Sequence, residues 1–220
     1  MTKITAVREA MAPPAEGIAT LKDAKDRFGF THVQSEQFFP EWRTGLAEIT
    51  TVERSDLDVL RRRYVYHREH GDLLEGTVML LLVSPLLAIA GFYDPPFRIK
   101  AEPSVELVID DGEEVLRGQI DVLILQDRFW VIVLESKKTT LSAWAALPQA
   151  LSYLMANPLP NKPVFGLLTN GDDILFIKVT QNTAPQYSTS RIFAPFIDSQ
   201  ELYTVLQIIK SISQRVLSES

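Results

Sequence analysis

Three ionisable side chains stand where a chain that buries its strands does not ordinarily place them. Asp121 falls inside the run Gly118-Gln-Ile-Asp-Val-Leu-Ile-Leu125, and Glu135 and Lys137 close the run Phe129-Trp-Val-Ile-Val-Leu-Glu-Ser-Lys137. Both runs are apolar at successive positions, as in central strands covered on each face. A charge buried there is costly unless it is paired or coordinates a metal. Glu135 and Lys137 are two apart and so project from one face of their strand. Gln126-Asp127-Arg128 breaks the two runs and reads as the connection of an antiparallel hairpin. The register that pairs Asp121 with Glu135 puts a three-residue loop at Asp127-Arg128-Phe129. It brings the two Cβ atoms within roughly 4.5–5.5 Å, close enough for both carboxylates to hold one ion. A two-residue turn would send Asp121 to the opposite face, so this chemistry demands a three-residue loop or a bulge.

Asp121 followed by Glu135-Ser136-Lys137 on the next strand resembles the signature of the PD-(D/E)XK nuclease superfamily. Gly118-Gln-Ile-Asp121 resembles the Gly-X-hydrophobic-Asp motif of its RecB-type branch. Gln149-Ala-Leu-Ser-Tyr153 matches that branch's Gln-XXX-Tyr motif on the following helix. The resemblance covers roughly residues 72–180 and is closest in kind to the nuclease domain of restriction-enzyme R subunits, here without a helicase motor. It implies an α/β, restriction-endonuclease-like fold: a central mixed β-sheet flanked by helices on both faces.

The function implied by the resemblance is a metal-dependent phosphodiesterase, a DNA endonuclease. Asp121 and Glu135 would bind magnesium or manganese, whose preference is for hard oxygen ligands, and the backbone carbonyl of Ser136 would be a further ligand. Lys137 would activate the attacking water or stabilise the transition state. Gln149 and Tyr153 would position the substrate backbone or the metal's outer shell, and Lys138 would contact phosphate. Residues four apart share a helix face, so ordinary packing is the other reading of Gln149 and Tyr153. Glu75, on the helix before the sheet, matches an acidic residue that in related nucleases helps bind the metal or its water. It is equally a first-turn glutamate favoured by the helix dipole. Cleavage of both strands would suit a homodimer. Two other readings stand beside this one: a module of the same fold that binds nucleic acid or a partner without cutting, and a purely structural Glu135–Lys137 neighbourhood. Retention of Asp121, Glu135 and Lys137 together favours the active enzyme.

The elements that must position these residues can be read in chain order. Residues 1–19 form a flexible or extended lead-in, and Leu21 to Phe28 a short helix. The aromatics of Phe28-Gly29-Phe30 and Phe38-Phe39-Pro40-Glu41-Trp42 are expected to pack against the core. Ser55 or Asp56 caps a helix running to about His70. It carries Arg61, Arg62, Arg63 and Arg68, either a solvated face or a source of phosphate contacts. His67 and His70 share a face without a third ligand nearby, which suits a surface or structural pair. Leu73 to Val83 is a buried helix, and Ser84-Pro85 starts a continuation or a kink. Phe92 to Pro103 is a loop or edge segment. Val105 to Ile109 is a strand, and Asp110-Asp111-Gly112-Glu113 turns into the strand that reaches Asp121. A helix capped near Ser142 runs to about Asn157, with Pro148 kinking it near Gln149. Pro163 to Thr169 is a buried strand parallel to the Glu135 strand through a βαβ crossover. Asn170-Gly171 turns into an antiparallel partner, Ile174 to Val179, and Arg191-Ile-Phe adds an edge strand. Ser199 to Leu217 is an amphipathic closing helix. These elements divide into residues 1–70, an N-terminal helical appendage packed on the core, and 71–220, the nuclease-like core.

Composition sets the outer bounds. With 220 residues the chain can bury a sizeable core, and with no cysteine it has neither disulfides nor thiolate zinc sites, which fits a cytoplasmic setting. The apolar window Val78 to Phe92 is shorter than a membrane span and contains Pro85, so no membrane partner is expected. The net charge of −6 lacks the basic field common among nucleic-acid binders, so any DNA contact rests on local clusters.

Overall fold

Val164–Thr169 is apolar toward both sides of its strand, and the computed structural model of the chain shows what covers each side. The structure describes residues 20–101, 104–108, 115–119, 122–125, 129–133, 143–155, 159–182 and 184–218, and between 100 and 133 it describes the backbone alone. Nine strands are described: β1 (Thr31–His32), β2 (Ile99–Ala101), β3 (Ser104–Val108), β4 (Val115–Gln119), β5 (Val122–Leu125), β6 (Phe129–Val133), β7 (Val164–Thr169), β8 (Ile174–Thr180) and β9 (Gln186–Phe193). The described helices are α1 (Leu21–Phe28), α2 (Thr51–Arg68), α3 (Glu75–Val78), α4 (Ser84–Ile89), α5 (Leu147–Leu154) and α6 (Ser199–Ser218).

Seven of these strands form one mixed sheet in the order β1-β9-β8-β7-β6-β5-β2, and β3 pairs with β4 in a separate ribbon. The sheet is antiparallel except where β6 meets β7 and where β1 meets β9. Along β7, Phe165 and Leu167 face a layer built from α2, α3, α4 and α6; Val164 and Leu168 face α1 and α5. Helices therefore cover both faces, and the alternation of period two is hidden in the sequence because both faces are apolar. Phe39 and Phe30 are buried in the two layers, so the early aromatics do pack against the core. So do α2, through Leu57, Leu60 and Tyr64, and α1, through Ala24. No helix among the described residues is long and apolar enough to cross a membrane.

Several expectations hold: α1, β7 parallel to β6, β8 antiparallel to β7 beyond Asn170-Gly171, and the closing helix α6. Others need correction. Helix α2 starts at Thr51, not after Ser55 or Asp56. Thr50 accepts from the Glu53 N–H, and the Glu53 carboxylate accepts from the Thr50 N–H, which satisfies two otherwise orphaned donors. The helix expected from Leu73 begins at Glu75. It widens to a π turn over Met79–Val83 before Ser84–Ile89 continues it. Pro85 gives the cause: its ring clashes with the carbonyl four residues back and it offers no N–H, so the turn before it opens. The run Gly118–Leu125 is not one strand. Gly118 and Gln119 belong to β4 and pair with β3, whereas Val122–Leu125 joins the main sheet. The expected turn at 110–113 lies outside the described residues.

Arg191-Ile-Phe ends β9 and does lie on an edge among the described residues, since β1 pairs only with Gln186 and Tyr187 at the other end of that strand. Between β8 and β9 the register slips: Leu175 pairs with Ile192 but Ile177 with Thr189. Two residues, Ser190 and Arg191, thus oppose the single Phe176, a β-bulge. The Phe176 N–H, deprived of its ladder partner, donates instead to the Ser190 hydroxyl at 2.9 Å.

Candidate functional site

Asp121, Glu135, Ser136, Lys137 and Lys138 lie outside the described residues, and so does the Ser142 cap. What is described is the frame around them. Leu125 pairs with Phe129 and Val122 with Ile132, so three residues, Gln126 to Arg128, separate β5 from β6. The expected loop length is met, but the loop sits one residue earlier than expected. The ladder is offset by two residues from the one that would pair Asp121 with Glu135. An offset of two leaves each residue on its original face.

The sheet gives the site a direction. Strand β6 runs parallel to β7, with Val133 beside Thr169, so the strand leading to Glu135 heads for the end of the sheet where the turn Asn170–Asp173 stands. Three other elements gather at that end. The C-terminal half of α2 arrives there through Tyr64, whose hydroxyl donates to Asp172 at 3.3 Å, and through Arg68, paired with Asp172 at 3.1 Å and with Asp72 at 2.9 Å. Helix α3 arrives there too: a Cβ on Gly171 would stand 2.9 Å from Val78 Cγ2. Glu75, half-buried in the first turn of α3, is one turn before that contact. The third is the 3-10 turn Ala143–Ala146 leading into α5, whose Ala143 N–H donates to the Asp173 carboxylate. Burial and then the neighbouring Asp172 raise the Asp173 carboxyl above its ordinary value, and the Ala143 bond opposes them.

Pro148 does not kink α5. It lies in the first turn, where the missing N–H is unneeded and the fixed φ suits the helix. The helix runs from the Asp173 end back across the sheet, bringing Leu154 over Gly166, where a side chain on β7 would crowd it at 3.2 Å. Gln149 therefore lies nearer the Thr169 end than Tyr153 does. The Gln149 amide donates to the Tyr153 hydroxyl at 2.8 Å, and Tyr153 is buried in the layer under α1 and α5. Burial raises the Tyr153 phenol above its ordinary value, against the Gln149 bond, so it stays protonated and retains a hydrogen to donate.

The arginine cluster divides. Arg61 donates to the Phe196 carbonyl at 2.9 Å, and Arg68 is taken up by the two aspartates. Arg62 and Arg63 are exposed and bond to no other described residue. His70 Nδ1 donates to the Tyr66 carbonyl at 2.7 Å, a structural role in the turn that follows α2. No group of three or more metal-ligating side chains occurs among the described residues.

Two features had no signal along the chain. Asp173 anchors the turn into α5, yet in sequence it is simply the acid after Asn170-Gly171-Asp172. Lys178 donates to Glu41 at 2.7 Å, a buried ion pair between residues 137 apart. It borders an open cleft of about 470 Å³ between the turn Pro40–Trp42, β8 and the end of α6. Lys178 pairs with Phe165 on β7, toward the sheet end opposite Thr169. No family model, curated protein or solved structure matches the chain.

Proposed function

We propose that the chain is a metal-dependent phosphodiesterase acting on nucleic acid, a DNA endonuclease of the PD-(D/E)XK type with a restriction-endonuclease-like core. The observation that carries this reading is the order and register of four elements. Strands β5 and β6 are antiparallel neighbours joined by three residues, and α5 then crosses to the parallel strand β7. Carried past Val122 and Val133, this ladder would keep Asp121 and Glu135 on one face, two residues off direct opposition, whereas a two-residue turn would have put them on opposite faces. Helix α5 brings the bonded pair Gln149–Tyr153 across the same sheet, and Glu75 starts the helix that reaches the same sheet end.

Two carboxylates and a peptide carbonyl are a hard-oxygen donor set, which suits magnesium or manganese. Asp121, Glu135 and the Ser136 carbonyl would hold the ion. When bound, it neutralises phosphate charge and lowers the pKa of a coordinated water. Lys137 orients or deprotonates the attacking water or stabilises the charge of the transition state. The Gln149 amide, fixed by Tyr153, holds the substrate backbone. Exposed Arg62 and Arg63, together with Lys138, make the phosphate contacts, and two copies of the chain act together where both strands are cut.

Supercoiled plasmid incubated with purified protein and magnesium or manganese tests this. Nicking or linearisation is expected, with a fall of about 100-fold or more in the Lys137→Ala variant, the scale of a lost acid–base group. Cleavage that survives the substitution would remove Lys137 from the mechanism. Absence of cutting with either ion, on plasmid and on single strands, would favour the non-cutting binding module. The net charge of −6 and the diversion of Arg61 and Arg68 into structural contacts favour that second reading.

A further inference from the structure

Among the exposed large side chains near the sheet end where the motif-bearing strand leaves, Trp144 is carried by the turn that bonds Asp173. Trp144 is 42 % exposed, although Ala143 before it and Leu147 after it are buried. Ala143 is fully buried and its N–H is held by Asp173; Leu147, which starts α5, is fully buried, and Pro148 follows in its first turn. The turn Ala143–Ala146 packs against β7 and β8 beside Asn170–Asp173, the end toward which β6 also runs. A large indole face held on a rigid turn pays little ordering entropy when something flat is laid on it. Trp42, by contrast, is occupied by the Arg43 guanidinium on its ring and by Phe193 at its edge.

We propose that Trp144 is a stacking platform for an unpaired nucleobase, which makes single-stranded DNA the substrate class of the site at this end of the sheet. The inference rests on the nuclease reading above and narrows it. A chain of net charge −6, with two of the four arginines in the C-terminal half of α2 committed to structural contacts, gains little from phosphate attraction, whereas stacking on an aromatic face needs no basic field. Every base offers such a face, but in a duplex it is covered by its neighbours, so only unstacked bases can use the platform.

Fluorescence anisotropy of a labelled oligothymidine, measured in EDTA so that nothing is cut, reads the platform directly. A labelled hairpin duplex is the comparison, and cleavage of the same single strand is followed in manganese. Trp144→Ala is expected to weaken oligothymidine binding about five- to hundredfold. Trp144→Phe should stay within about threefold of wild type, because it keeps a π face. Duplex binding should be unchanged in both variants. Single-strand binding equal to wild type in Trp144→Ala overturns the proposal. So does an equal loss on single strand and duplex that Trp144→Phe fails to restore. Cutting by wild type together with undiminished binding by Trp144→Ala overturns the platform and leaves the nuclease. Trp144-dependent binding with no cutting of this strand overturns single-stranded DNA as the substrate class and leaves Trp144 a binding contact, while the plasmid assay decides the nuclease separately.

Discussion

Gly171 concentrates much of the structure's local logic in one residue. Its φ of 97° lies where side chains are strained, and a Cβ there would run into the Tyr64 hydroxyl and stand 2.9 Å from Val78 Cγ2. Burial, followed by the Asp172 carboxylate, raises the Tyr64 phenol well above its usual range, so it is a neutral donor at any physiological pH. Backbone strain and the displaced phenol together predict a loss of about 2 kcal/mol or more for Gly171→Ala, measured by urea unfolding. A loss under about 0.5 kcal/mol would mean that α2 and α3 do not close on this turn. Asn170-Gly171 was legible as a turn because only such residues accept positive φ readily. What the turn holds was not legible: Tyr64 and Asp172 are 108 residues apart, and their approach belongs to packing.

The start of α2 shows a different failure of reading. Thr50 and Glu53 form a capping box that stands openly in the sequence, yet Ser55 and Asp56, which also cap helices well, lie inside the helix. Tertiary contact decides between such candidates: Lys210, on α6, donates to the Glu53 carboxylate at 2.6 Å. Burial works to raise the Glu53 carboxyl, but the bonds from Lys210, the Thr50 N–H and the Thr50 hydroxyl outweigh it and hold the group below its ordinary value. A carboxyl depressed in the folded state adds stability above its unfolded value, and that stability is lost as pH falls through the folded value. Glu53→Gln should therefore cost about 1–2 kcal/mol at neutral pH, with the deficit shrinking below about pH 4 as wild type protonates. Parallel urea melts of both proteins at neutral and acidic pH check this; a deficit independent of pH would assign Glu53 to packing alone. The strands show where periodicity runs out. β7, β8 and α6 are long and apolar enough to read directly, but β1 has two residues and no pattern to show. The division of Gly118–Leu125 between β4 and β5 falls between Gln119 and Val122, beside Asp121, whose charge reads as a site residue rather than as a strand boundary.

Across the whole molecule, charge limits what the proposed activity can be. The formal net charge is −6, and of the four arginines in the C-terminal half of α2 only Arg62 and Arg63 have no side-chain bond to another described residue. Substrate affinity should then depend weakly on salt, with a log–log slope on the order of −2 to −3. Replacing Arg62 and Arg63 together by alanine should flatten that slope by about 1.4–1.8, read from binding titrations at several salt concentrations in EDTA. An unchanged slope would move the phosphate contacts elsewhere. The candidate catalytic residues were legible as motifs because charge in an apolar strand is conspicuous, whereas their support was not: Asp173, Glu75 and Val78 meet the sheet end only through the fold.

The bulge at Ser190-Arg191 matters beyond its own hydrogen bonds. Beyond Tyr187, β9 has no partner strand on its outer side among the described residues, because β1 covers only Gln186 and Tyr187. A long flat edge of that kind is a template onto which another chain can add as a further strand. Here the extra residue twists the strand, the Ser190 hydroxyl closes the gap on the inner side, and Arg191 stands exposed, paired with Glu201. A neighbouring molecule trying to zip along this margin would meet a twisted backbone and a charge pair it would have to dehydrate. The irregularity that spoils the ladder is thus what keeps one copy of the sheet from continuing into the next, and so guards the protein against aggregation.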